Sequence, residues 1–289
     1  MYFYILDNHN VPPRDFERNF AELQSLLTEF KITGEIARVT PLRIIPDLVE
    51  TATLRGAKTL VVCGTDETFN QVIAEIKDQG FTLAFIPFIS GTQIGKVLGM
   101  DTVSSSIKTL ASRRIEKIDL AQINGVVTTG IPGKATFISY LEFGIGQYAG
   151  KKMGLFSMLK LSTVSPVKIK VRIDDSYNAE LETIGGLIIN ARAQECKNGE
   201  VGDPQDGFLD LIMLEKLTKL SIAMNRKEIL SGCYEKIHGA TIIKCKKIEF
   251  ISETNQSIFF DGKEFAKNPS TIEVVPQRLR VIVGKNRTF

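Results

Sequence analysis

The twelve residues VVCGTDETFNQV, Val61 to Val72, decide how the rest of the chain is read. An apolar run enters a small polar turn at Gly64, and the turn opens into a segment with Phe69, Val72 and Ile73 at helical spacing. A strand that turns sharply into a helix is the way many proteins build a phosphate cradle, because backbone N–H groups at a helix start point toward an anion. Such a cradle favours glycine and positive potential, whereas this turn carries Asp66 and Glu67. Thr68 and Gln71 have capping-box spacing at the helix start.

Upstream and downstream, the same alternation repeats. YFYIL, GEIARV, TLVVCG and FTLAFIPF read as four strands. Between the first two, Phe16, Phe20, Leu23, Leu27 and Phe30 give one helix an apolar face, with a stop expected at Gly34; IIPDLVETATLRG reads as a second helix, closed by Gly56. Strand–helix alternation implies a doubly wound parallel sheet covered on both faces, whose ligands gather at the carboxyl ends of the strands. From about residue 113 the pattern changes. VKIKVRID, TIGGLIINA, FLDLIML, KKIEFIS, SIFF, TIEVV and RLRVIVG read as strands of an antiparallel β domain, interrupted by one helical insertion near LSIAMNRKEILSGCY. The expected division is a nucleotide-type α/β domain over 1–112, joined by 277–289, and a β-rich domain over 113–276, with a cleft between them.

Composition narrows the function classes. A chain of 289 residues, 43% of them hydrophobic, can build a core in each of two domains. Basic and acidic side chains, 36 and 33, are interspersed without a charged block, which argues against a nucleic-acid partner. No apolar run is long enough to span a bilayer and the start MYFYILDNHN lacks the features of a signal peptide, so a cytoplasmic chain is expected. Cys63, Cys196, Cys233 and Cys245 show no C-x-x-C spacing and are expected to be reduced and structural. His9 and His238 stand alone, which argues against a histidine triad or a histidine metal centre.

With these motifs in place, the chain resembles the soluble diacylglycerol kinase and sphingosine kinase group of lipid kinases, which is related more distantly to NAD kinases. Gly64-Thr65-Asp66-Glu67-Thr68-Phe69-Asn70 matches the family signature G-G-D-G-T-x-N, and PFISGTQIGKVLG, Pro87 to Gly99, matches P-L-G-T-G-N-D-F-A-R-x-L-G without a gap. EKIDLAQING resembles the strand that opens the family's second domain, DPQDGFLDLIML its D-G-x-L-D segment, and IFFDGKEF its D-G-E segment. The resemblance implies ATP-dependent phosphorylation of a lipid hydroxyl. It implies that Thr40, Gly64, Thr65, Asp66, Glu67, Thr68, Asn70, Ser90 and Gly91 contact the nucleotide, with Asp66 acting through Mg²⁺. Asp203, Asp206 and the Phe208 carbonyl would hold a structural Mg²⁺, oxygen-rich as a hard cation requires. Asp261 and Glu264 would serve the acceptor hydroxyl.

Departures from the family pattern fall where the chemistry is. Thr65 and Glu67 replace glycines; Ile89, Thr92 and Gln93 replace Gly, Asn and Asp; LDNHN stands where N-P-x-S-G is expected. A carboxylate about 4 Å from a phosphate charge costs roughly 1 kcal/mol in water and about 4 at the effective dielectric of a protein surface. Lys263 occupies the Glu position of D-G-E, so Glu264, one residue late, serves only if the strand bulges. Two further readings stay open: a non-catalytic relative that binds a lipid or partner, and an NAD-kinase-like activity. GKKMGLFSMLKL, residues 150–161, mixes Lys with Met, Leu and Phe and is a candidate for transient contact with a membrane surface. Expected partners are therefore a diacylglycerol-like lipid and a peripheral position at the inner membrane face, with a homodimer also allowed.

Overall fold

The computed structural model describes residues 1–76, 80–127, 132–149, 160–193, 196, 201–251, 257–260 and 263–289. In the amino-terminal half β1 (Tyr2–Leu6), β2 (Gly34–Arg38), β3 (Thr59–Gly64) and β4 (Thr82–Pro87) form a parallel sheet in the order β2-β1-β3-β4. Every residue of β3 and β4 is buried, so helices cover both faces. α1 (Pro13–Glu29) packs with α5 (Val103–Ser112), and α2 (Ile45–Leu54) packs with α3 (Asp66–Glu75). α1 ends earlier than expected: its last helical residue is Glu29, and Gly34 begins β2. The short α4 (Gln93–Leu98) lies inside the second signature and ends at Gly99, whose φ of 67° is the left-handed conformation glycine adopts freely.

The remainder is an antiparallel β sandwich. Its strands are β5 (Ile115–Val127), β6 (Pro132–Phe137), β7 (Tyr140–Gly144), β8 (Val167–Ile173), β9 (Tyr177–Thr183), β10 (Gly185–Ile189), β11 (Leu209–Leu214), β12 (Ala240–Cys245), β13 (Lys247–Phe250), β14 (Ser257–Phe260) and β15 (Lys263–Ile282). Strand periodicity sorts the side chains into two cores. Leu209, Leu211 and Met213 of β11 join one with Phe143 and Ile248, while Ile212 and Leu214 join the other with Leu187, Ile189 and Tyr234. The helical insertion is two short helices, α6 (Lys219–Met224) and α7 (Arg226–Ser231).

TIEVV and RLRVIVG, read as separate strands, are parts of the single strand β15. Its body pairs with β5, β13 and β14, and its end runs parallel to β4 through Arg280 and Val281. The pairing with β5 slips between Val275 and Leu279, where Pro276 has no N–H to give and Gln277 has a φ of 48°. The buried carboxylate of Asp119 on β5 accepts the Gln277 N–H at 2.7 Å and fixes this bend. One strand thus joins both sheets, and Asp119 holds the joint.

Two expectations are corrected. Cys196 and Cys233 form a disulfide, leaving Cys63 and Cys245 as buried free thiols. The pairing spans 37 residues and links elements that local spacing does not associate. The helix after β3 begins one turn earlier than Thr68 and Gln71 suggested: Thr65 is its N-cap, and Thr65 and Thr68 make the reciprocal capping contacts. No helix among the described residues is long and apolar enough to cross a membrane. Residues 150–159 lie outside the described residues.

Candidate active site

The turn after β3 is built by side chains that bind one another. Thr68 donates its hydroxyl to Asp7 Oδ2 at 2.8 Å, and Asp7, at the end of β1, also accepts the His9 N–H at 2.9 Å. The Thr68 N–H goes to Thr65 Oγ1. A Cβ on Gly64 would lie 2.9 Å from Thr68 Oγ1, so this glycine is required by the cap packed against it. Asp66 accepts the N–H groups of Gln93 and Ile94 at 2.7 and 3.1 Å and so caps α4 across the gap between the two signatures. The backbone N–H groups of Thr65, Thr68, Gln93 and Ile94 are thereby engaged by the chain's own side chains.

Glu67 and Ile89, the two bulky replacements, go opposite ways. Ile89 packs against the core of the amino-terminal domain. Glu67 faces the interdomain cleft, where the Lys263 ammonium donates to both its oxygens at 2.9 Å and Asn10 Nδ2 donates to Oε2 at 2.9 Å. Three elements meet there: the loop after β1, the first turn of α3 and the first residue of β15. The acid that replaced a family glycine is neutralised by the lysine that replaced the family acid. Both substitutions are plain in the sequence, but their pairing is not.

Two adjoining cavities lie here, and the pair lines the smaller of them. The larger, about 600 Å³, lies at the carboxyl ends of β1 and β2 and is walled by Asp7, Asn8, His9, Thr40, Ile44 and Gln71 among others. Thr40 itself is held by reciprocal backbone hydrogen bonds with Arg43. The smaller, about 320 Å³, lies between α3, β6 and the β14–β15 hairpin, with Ala74, Ala135, Phe260 and Phe265 as apolar walls and Glu67, Lys134, Lys263 and Glu264 among its polar groups. Gln71 and Ala74 line both. Asn70 lines the smaller cavity, and Ser90 and Gly91 are exposed on the loop before α4, with Gly91 at a φ of 81°.

Glu264 reaches the smaller cavity and accepts a hydrogen bond from Ser257 Oγ at 2.8 Å. The bulge that its position called for is present, but beyond it: Phe259 pairs with Glu264 and Ile258 with Ala266, leaving Phe265 as the extra residue. Asp261 lies outside the described residues.

The turn expected to hold a structural Mg²⁺ is tied down differently. Asp203 Oδ1 accepts the Gln205 N–H at 3.0 Å, and Asp206 Oδ1 accepts the Phe208 N–H at 2.9 Å. The other Asp206 oxygen takes the Lys244 ammonium at 2.6 Å, which puts a cation of the chain's own where a metal would sit. Among the described residues the only trio of acid, thiol or imidazole groups close enough to share a metal is Cys196, Cys233 and Glu235, where the two thiols are already bonded to each other. The donor set at Asp203, Asp206 and Phe208 does not fit a resident magnesium. The residue missed there is Asp119, fully buried, which accepts the Gly207 N–H at 2.7 Å while its own N–H goes to the Pro204 carbonyl.

A parallel-sheet domain facing a β sandwich across such a cleft is the architecture of lipid and NAD kinases. Residues 3–123 match the diacylglycerol kinase catalytic domain, and residues 149–283 match the YegS C-terminal NAD kinase beta sandwich-like domain. No curated protein matches the sequence. Among solved structures, a protein of Bacillus anthracis str. Sterne proposed to be a diacylglycerol kinase superposes with a TM-score of 0.75 at 15% identity, over 98% of this chain and 97% of its own. A diacylglycerol kinase from the same source gives 0.72 at 16% identity, over 99% and 98%. The chain belongs to the diacylglycerol kinase-like family of lipid kinases, and its fold is that of the lipid/NAD-kinase-like phosphotransferases.

Proposed function

We propose that the protein transfers the γ-phosphoryl group of a nucleotide to a hydroxyl of an amphiphile held in the interdomain cleft. The observation that carries this reading is the pair of cavities, one polar at its strand-end wall and about 600 Å³, the other apolar-walled and about 320 Å³, meeting at Gln71 and Ala74. Their volumes suit a nucleotide and the polar end of a lipid. The base and sugar occupy the larger cavity beside Thr40 and Asn8, and the acceptor's apolar part lies against Phe260 and Phe265. The acceptor oxygen attacks the γ-phosphorus, the bond to the β-phosphate oxygen breaks, and the hydroxyl proton passes to the carboxylate of Glu264 in the smaller cavity. Magnesium carried by the nucleotide would supply neutralisation of phosphate charge, and Asp66, the carboxylate that the family resemblance puts in this role, would have to release the α4 N–H groups it now holds in order to receive it.

A second reading, a binding protein that has lost turnover, is favoured by one specific observation: the Asp66 oxygens already hold α4's first N–H groups. Titration calorimetry with Mg-ATP separates the two. The phosphotransferase reading expects saturable binding below 1 mM (an order-of-magnitude threshold, roughly the upper end of ordinary enzyme affinities), and absence of binding at several times that concentration removes it. Removing the cation of the cleft pair in Lys263→Met should lower turnover if the pair takes part in the reaction. Equal turnover in both proteins would show that the pair lies outside the reaction.

A further inference from the structure

The larger cavity has the size for a nucleotide but no lysine or arginine among its walls. Four of the backbone donors near the two signatures are taken, Gln93 and Ile94 by Asp66 and Thr65 and Thr68 by each other's hydroxyls. A bound polyphosphate therefore needs a cation from the neighbouring cavity, where Lys134 and Lys263 are found. Lys263 is the one already positioned, fixed by both Glu67 oxygens at 2.9 Å on the wall of the smaller cavity, which shares Gln71 and Ala74 with the larger. Its side chain is 66% exposed, so it can change partners without leaving a buried charge behind.

We propose that Lys263 is the phosphate-anchoring residue of this chain, with Glu67 holding it in place until an anionic ligand takes it over. This rests on the phosphotransferase reading of the cleft and adds how the charged end of the nucleotide is held: by a side chain that exchanges a carboxylate for a phosphate, in place of a glycine backbone. When the exchange occurs, Asn10 continues to donate to Glu67 and keeps the released carboxylate hydrogen-bonded. A carboxylate left beside a phosphate opposes binding, so Glu67 also limits affinity. It acts as a brake on the site it prepares.

The test is calorimetric titration of the full chain with Mg-ATP, with inorganic pyrophosphate and with adenosine, for wild type, Lys263→Met and Glu67→Gln. Lys263→Met should weaken ATP and pyrophosphate by about tenfold or more and leave adenosine unchanged, and Glu67→Gln should tighten both anions by about tenfold. Circular-dichroism melting of each variant checks that it folds, which the surface position of the pair favours. Unchanged or tighter anion binding by Lys263→Met overturns the proposal, because a pair that merely closed the cleft would admit ligand more readily once cut. So does failure of the wild type to bind either anion. Lysine-dependent anion binding without phosphoryl transfer would leave this inference standing and remove only the catalytic reading.

Discussion

Two acidic turns of this protein have met the same problem in different ways. At the end of β3, Glu67 is neutralised by Lys263, which lies 196 positions away on the far side of the cleft. In the loop before β11, Asp206 is neutralised by Lys244, which lies on the adjacent strand β12 opposite Asp210. The second pair is part of one domain's own scaffold, with its lysine held in strand register. The first spans two domains and must be undone before anything charged can enter. A lysine–carboxylate pair is worth about 0–1 kcal/mol at such partly exposed positions, so the difference between them lies in what each pair blocks rather than in stability.

The sharpest way to break the comparison is at Asp119, which the scaffold turn depends on and the cleft pair does not. Asp119→Ala leaves the N–H groups of Gly207 and Gln277 without their acceptor and should cost about 3 kcal/mol in urea unfolding. A loss below about 1 kcal/mol would mean that the joint between the sheets is held by something else. Next in size, Lys244→Met removes the chain's own cation from Asp206. The variant should lose about 1 kcal/mol and recover part of it with millimolar Mg²⁺, whereas wild-type melting should be indifferent to the metal. A wild type that is itself stabilised by Mg²⁺ would contradict the assignment of Lys244.

Much of the amino-terminal sheet was legible because each strand is a continuous apolar run bounded by glycine or a polar turn, and β1, β3 and β4 follow those runs residue for residue or nearly so. FLDLIML reads as a strand, but the burial of its two faces in separate cores emerges only from the packing. The partner of Glu67 was not legible, because no local rule relates a helix start to a hairpin 196 residues later. Thr65 stands at a glycine position of the family signature, which obscures its role as N-cap, although a threonine before two acidic residues is itself a good helix start. Pro276 split β15 into two apparent strands; only the Asp119 contact across the bend explains why the chain continues through it. The disulfide escaped because Cys196 and Cys233 belong to separate segments, and their proximity is a product of the sandwich.

Smaller effects sharpen the picture of the scaffold turn. Burial lifts the Asp210 carboxyl above its ordinary range, opposed by the Gly202 N–H and the Lys244 charge. A folded-state pKa above the unfolded value contributes stability that is fully present below the unfolded pKa, about 3.8, and lost as pH rises through the folded one. Asp210→Asn should therefore be at least as stable as wild type at pH 7 and lose that relative advantage near pH 3.5, an acid point roughly at the unfolded carboxyl pKa, measured by urea unfolding at both. A variant that is weaker at neutral pH would show that the ionised carboxylate is needed there. Last, burial pushes the Cys245 thiol up to about 12 and raises that of Cys63 as well. Iodoacetamide at pH 8 (roughly the pKa of a free thiol) should leave the native, unreduced protein unlabelled, and labelling of Cys196 or Cys233 would break the disulfide assignment.

The central claim is that the cleft passes a phosphoryl group from a nucleotide to an amphiphile hydroxyl. It is tested most directly by incubating the protein with Mg-ATP labelled at the γ-phosphate and diacylglycerol dispersed in detergent, then measuring label in the lipid fraction. The account predicts labelled lipid from the wild type and less from Lys263→Met. Absence of labelled lipid from the wild type, with ATP shown to bind, would contradict it.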